Sequence, residues 1–81
     1  MPEKIKPEYL PLTEIQKLGY FVEESGEVLC AVGKTIRWGV ESVNPELPAH
    51  EQETNRDWML REIVDLKRAI KTLEKHLEDN Y

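Results

Sequence analysis

The chain is predicted to be all-α: an antiparallel hairpin of two long helices that assembles into an oligomeric four-helix bundle. Three observations lead there. Apolar residues recur at alternating steps of three and four along two stretches of matched length. Each stretch opens on a threonine with helix-capping chemistry. A polar connection containing Asn44-Pro45-Glu46-Leu47-Pro48 separates them.

With 81 residues the chain is one domain, 1–81. Residues 1–12 carry Pro2, Pro7 and Pro11 and read as an extended arm. Thr13-Glu14-Ile15-Gln16 fits a capping box, with the threonine side chain as N-cap and Gln16 reaching back. From there Ile15, Leu18, Val22, Ser25, Leu29, Val32 and Ile36 form one stripe of a helix of roughly 26 residues, about 39 Å long. Gly39 is the expected stop. Gly19, Gly26 and Gly33 fall in line at seven-residue spacing, and close helix–helix approach is the expected reason for them. One continuous helix is preferred over a break near Gly19.

The connecting loop spans residues 40–54, with the polar run from Glu41 to Glu53. Thr54, with Asp57 three residues on, reads as the second N-cap. Met59, Ile63, Leu66, Ile70, Leu73 and Leu77 then keep a four-three rhythm to a helix end near Asp79, again about 37 Å. A lone hairpin of this kind leaves too much apolar surface in water, so a homo-oligomer, dimer or tetramer, is expected.

Bulk properties exclude several classes. Sixteen acidic against eleven basic residues give a net charge of −5, which argues against general nucleic-acid binding but not against a nucleotide, since a bound cation reverses the local field. No apolar run is long enough to cross a membrane, and Met1-Pro2-Glu3-Lys4-Ile5-Lys6 is no signal peptide, so a cytoplasmic protein is expected. Cys30 is alone, so no intrachain disulfide forms, and a small buried apolar role is the default for it.

The chemistry lies in two acidic clusters, Glu23-Glu24-x-x-Glu27 and Glu62-x-x-Asp65, one per helix. Acids three residues apart share a helical face. The alternative is a solvated helix face, but the neighbours at helical spacing speak against it. Glu14, Glu74 and Glu78 have lysines at that spacing (Lys17, Lys71, Lys75), whereas Glu24, Glu27 and Glu62 have only aromatic, apolar or acidic neighbours there. Only Asp65 has basic ones, Arg61 and Arg68. Two charges about 5 Å apart repel by roughly 3 kcal/mol at an effective dielectric near 20. A hard divalent cation turns that repulsion into coordination, with Mg²⁺ the first choice and Mn²⁺ the alternative. In an antiparallel hairpin turning near residue 47 the two clusters come level within about one turn. Glu24 and Glu27 lie nearly opposite the Ile15–Ile36 stripe, on a face shared with Tyr20, Ala31 and Trp38.

Glu23-Glu24-Ser25-Gly26-Glu27 followed by Glu62-Ile63-Val64-Asp65 resembles the EExxE…ExxD signature of the MazG-like all-α nucleoside triphosphate pyrophosphohydrolases, over roughly residues 13 to 75. The compact chain looks most like phage-encoded members. The resemblance implies Mg²⁺-dependent cleavage of an NTP or dNTP to the nucleoside monophosphate and pyrophosphate. It implies Glu24, Glu27, Glu62 and Asp65 as metal ligands, and Glu23 as a supporting group or the base that orients the attacking water. The 34 residues between Glu27 and Glu62 exceed the usual connection, and the further C-terminal helix that often supplies substrate contacts is missing, so phosphate and base recognition is expected from other residues or another subunit.

Lys34, Arg37 and Arg61 are the candidate phosphate contacts, against surface cations offsetting excess acid. Trp38, Trp58 and Tyr20 are candidate base-stacking groups, against plain packing roles. His50 and His76 lack partners at ligand spacing and read as surface residues. Gly33-Lys34-Thr35 lacks the upstream glycine spacing of a phosphate loop. The rival functional reading is a non-enzymatic acidic helical interaction module, with an inactive nucleotide-binding homologue as a third.

Overall fold

The computed structural model describes residues 10–81, so the arm expected over 1–12 lies outside the described residues for positions 1–9. Two α-helices pack against each other: α1, Glu14–Trp38, and α2, Asn55–Asn80. A 3₁₀ turn, Ala49–Glu51, sits in the connection. Among the described residues no helix is long and apolar enough to cross a membrane.

Local chemistry sets the helix ends. The Thr13 hydroxyl accepts from the Gln16 amide at 3.2 Å while Gln16 Oε1 accepts from the Thr13 amide at 3.0 Å, a closed capping box. Gly39 ends α1 with φ +98°, a backbone region that a Cβ disfavours. Thr54 caps α2 by accepting from the Asp57 amide at 3.1 Å. α1 is continuous through Gly19, as preferred from its periodicity.

The connection folds back on the start of α2 rather than trailing through solvent. Val43 and Thr54 form an antiparallel bridge. The amides of Asn55 and Arg56 donate to Ser42 and Val40 carbonyls, and buried Asn55 donates its side-chain amide to Gly39 at 2.9 Å. The Ser42 hydroxyl closes onto the Trp38 carbonyl. At the opposite end, Glu14 gathers the chain terminus: His76 Nε2 lies 3.2 Å from its carboxylate, and the Tyr81 hydroxyl donates to it at 2.6 Å. His76, expected on the surface, is therefore largely covered, with Lys17 Nζ 3.4 Å from its other ring nitrogen. Glu14 pairs there and not with Lys17, and Lys75 pairs with Asp79 rather than Glu78.

The interior is small. Ala31 and Ala69 are the fully buried apolar residues among those described, and the molecule measures 45 × 26 × 15 Å, a single helical layer. The Ile15–Ile36 stripe of α1 faces away from α2: Ile15, Leu18, Val22, Leu29 and Ile36 are all exposed. α2 lies instead on the acid-bearing side, where Glu24 meets Glu62 and Asp65 and Ala31 is fully buried. The glycine line has no partner within the hairpin. A Cβ built on Gly19, Gly26 or Gly33 meets nothing within 4 Å, so close approach to α2 does not explain these residues. Each nonetheless costs the helix about 1 kcal/mol relative to alanine. Cys30, expected inside, is exposed.

Candidate metal centre

α1 presents Glu24 to α2, and α2 presents Glu62 and Asp65 to α1. One carboxylate oxygen from each of the three lies within 4.8 Å of the other two. Glu62 is the most enclosed acid, 4% exposed. Its Oε1 accepts from Arg61 at 3.0 Å, but its Oε2 is buried without a hydrogen-bond partner, as is Oε2 of Glu24. Burial of such atoms is unfavourable unless something positive meets them.

Glu27 is more exposed, and it influences the protonation of both Glu24 and Glu62. It does not join the set of three oxygens. Glu23 is exposed and is no member of that set; its charge is the least of the influences raising Glu24. Of the five acids singled out by the motif, the fold thus brings three together, places a fourth alongside, and leaves Glu23 outside.

Burial and like charge act in the same direction. Glu24 is pushed above the ordinary carboxylate value by burial and then by Asp65. Glu62 is raised by burial and then by Glu27, with Arg61 opposing. Tyr20, half-buried beside Glu24 and Asp65, has its hydroxyl raised for the same reasons. Five carboxylates (Glu24, Glu27, Glu53, Glu62, Asp65) share two guanidiniums, Arg61 at 2.6 Å from Glu53 and 3.0 Å from Glu62, and Arg68 at 3.7 Å from Asp65, so negative charge is in excess there. Helical spacing gives Glu62 no cation one turn away, but its sequence neighbour Arg61 reaches it. Adjacent residues on a helix point about 100° apart, but a long arginine can curl back to its neighbour.

Arg61 is anchored, not free. It donates to Glu53 Oε1 at 2.6 Å and Oε2 at 3.4 Å while holding Glu62, so one guanidinium clips the connection to the acid cluster. Neither Glu53 nor this bridging role was visible in helical spacing. Beside it opens a cleft of about 800 Å³, lined by Lys34, Trp38, Asn55, Trp58, Arg61 and the 42–47 segment. Two tryptophans and a lysine from the list of substrate candidates therefore share one cavity next to the carboxylates. Arg37 lies outside it, its guanidinium 5.1 Å over the Trp38 ring. His50 is exposed in the connection beside Glu51.

The donor set is all carboxylate oxygen, which suits a hard cation such as Mg²⁺ or Mn²⁺ and not a thiophilic one. Two orphaned oxygens and uncompensated negative charge fit the same occupant. Comparison of the chain with family models, curated proteins and solved structures finds no match.

Proposed function

We propose that this protein is a Mg²⁺-dependent nucleotide pyrophosphohydrolase, cleaving an NTP or dNTP to its monophosphate and pyrophosphate, with Mn²⁺ as an alternative ion. The observation that carries this reading is the convergence of Glu24, Glu62 and Asp65 from two helices, with buried carboxylate oxygens that no donor satisfies. Glu24, Glu62 and Asp65 would hold the ion. When bound, it supplies charge neutralisation for the phosphate oxygens.

The chain's own residues do the rest. The neighbouring cleft lies within the roughly 300–1,000 Å³ range of small-molecule sites and offers Trp38 and Trp58 as faces for a nucleobase. Lys34 supplies a positive charge for the phosphates, while Arg61 keeps Glu62 and the connection in place. A water oxygen adds to phosphorus, the anhydride P–O bond breaks, and pyrophosphate departs. Glu27, exposed beside the three acids, takes the water's proton, with Glu23 in a supporting place next to Glu24 in sequence. Two or more copies supply the four helices of the assembly, acting in the cytoplasm.

A second reading, a non-enzymatic acidic interaction module, is favoured by Arg61 and Arg68, which offset part of the charge without any ion. A phosphate-release assay with added pyrophosphatase, run on a panel of NTPs and dNTPs with and without Mg²⁺, separates the two. Metal-dependent turnover is expected. No turnover on any nucleotide, with a melting temperature indifferent to Mg²⁺, supports the module; calorimetric nucleotide binding without turnover identifies an inactive homologue.

A further inference from the structure

We propose that the outer face of α1 is a two-fold contact: a second copy of this chain packs its own α1 antiparallel against it, with the axis passing between Ser25 and Gly26. The face is the Ile15, Leu18, Val22, Leu29 and Ile36 stripe, whose members are 44% to 81% exposed. Together they expose on the order of 600 Å², at the top of the roughly 300–600 Å² that the largest patch on a monomer shows. That approaches the roughly 800 Å² that each partner contributes to a stable interface.

The occupant follows from the stripe's self-complementarity. An isologous contact requires that residue i meet residue j while j meets i. About a centre between Ser25 and Gly26, Ile15 is mated with Ile36 and Val22 with Leu29, large against large. Leu18 is mated with Gly33, and Val32 with Gly19, large against small. Ser25 meets Gly26 at the centre, where both are small. The same dipeptide pattern, a side chain followed by glycine, therefore recurs at Leu18-Gly19, Ser25-Gly26 and Val32-Gly33, so that each side chain finds a glycine opposite. Nothing inside the hairpin accounts for these glycines, since a Cβ on any of them meets open space. An unrelated helix would have no reason to match this order of sizes.

The contact leaves the acid cluster uncovered, because Glu24 lies on the far side of α1 from the stripe. The helices then run α2, α1, α1, α2 across the dimer, with a site on each flank. This inference stands on the stripe and not on the metal, so it survives if the protein is no enzyme.

The test uses the full chain. Light scattering after gel filtration should give twice the chain mass at micromolar concentration, and Val22→Glu with Leu29→Glu should halve it. Because loss of the contact can also unfold the protomer, orientation is read separately by oxidation in a Cys30→Ser background. Ser25→Cys should give a disulfide-linked dimer, its two thiols flanking the axis. Leu18→Cys should give none, since antiparallel pairing holds those thiols about 22 Å apart at 1.5 Å per residue. A monomeric wild type, an unchanged mass for the double variant, or equal cross-linking of the two thiol variants would overturn the proposal.

Discussion

Glu24 on the first helix and Glu62 on the second stand with carboxylate oxygens within 4.8 Å, and the Oε2 of each is buried with no hydrogen-bond partner. Two acids held this way oppose folding in the absence of a cation and favour it in its presence.

Glu62→Gln should raise the melting temperature in EDTA, since it removes the most enclosed charge, and should abolish any stabilisation by Mg²⁺. Turnover should fall at least about 100-fold with the loss of a metal ligand. Calorimetric melts with and without Mg²⁺ read both effects. A lower melting temperature in EDTA would mean that the charge serves the Arg61 contact more than it repels its neighbours.

Glu27→Gln should also abolish turnover but leave the Mg²⁺-induced rise in melting temperature largely intact, because Glu27 lies outside the set of three oxygens. At a Mg²⁺ concentration ten times its Kd that rise corresponds to about 1.4 kcal/mol. Equal loss of the rise in the two glutamine variants would make Glu27 a ligand.

The pH dependence has a defined sign. Glu24 and Glu62 have folded-state values above 4.5, raised by burial and by Asp65, Glu27 and Glu23, against Arg61. Between the ordinary value and the raised one, the folded chain binds more protons than the unfolded chain. Metal-free stability therefore rises as pH falls through that window. Glu14 has the opposite shift, lowered by Tyr81 and His76, so its contribution persists down to pH 4.5 and is lost only below it. Melts in EDTA should shift upward from pH 7.5 to pH 5, and saturating Mg²⁺ should flatten or invert the trend. A monotonic fall in EDTA over that range would contradict the assignment.

Arg61→Ala should destabilise the metal-free protein by roughly 1–2 kcal/mol, the lower end of the range for a buried acid losing its partner because the arginine itself is half-exposed. Mg²⁺ should restore most of the loss. The released Glu53 should also loosen the connection, measurable as faster hydrogen exchange at the Asn55 and Arg56 amides.

His76→Ala should leave the acid site unaffected and fray the far end of the hairpin. Several-fold faster exchange is expected for the first-turn amides of α1, where Glu14 loses one of its two long-range partners. Unchanged exchange there would mean that the Tyr81 hydroxyl alone holds the end.

Both helices were legible from the sequence because their limits are local. Thr13 with Gln16, Gly39, and Thr54 with Asp57 are contacts spanning four residues or fewer, and the structure realises each of them. The acid cluster was legible for a related reason: the absence of cations one turn away from Glu24 and Glu62 is a property of spacing. Contacts that depend on how the chain returns were not legible. Glu53 reaches Arg61 only because the connection folds back, and His76 meets Glu14 only because the two ends coincide. Periodicity also shows that α1 has two faces to cover without saying which one α2 takes; the structure puts Glu24 against Glu62 and Asp65 and leaves the Ile15–Ile36 stripe exposed.

Two methyl groups, those of Ala31 and Ala69, are the fully enclosed apolar side chains of the described chain. With so little hydrocarbon shielded by its own fold, the chain would gain cohesion from the two-fold contact proposed above. Its thermal midpoint should climb with protein concentration, and its refolding should follow second-order kinetics on dilution from denaturant. Abundance in the cell would then act as a control on how much of the polypeptide is structured at all.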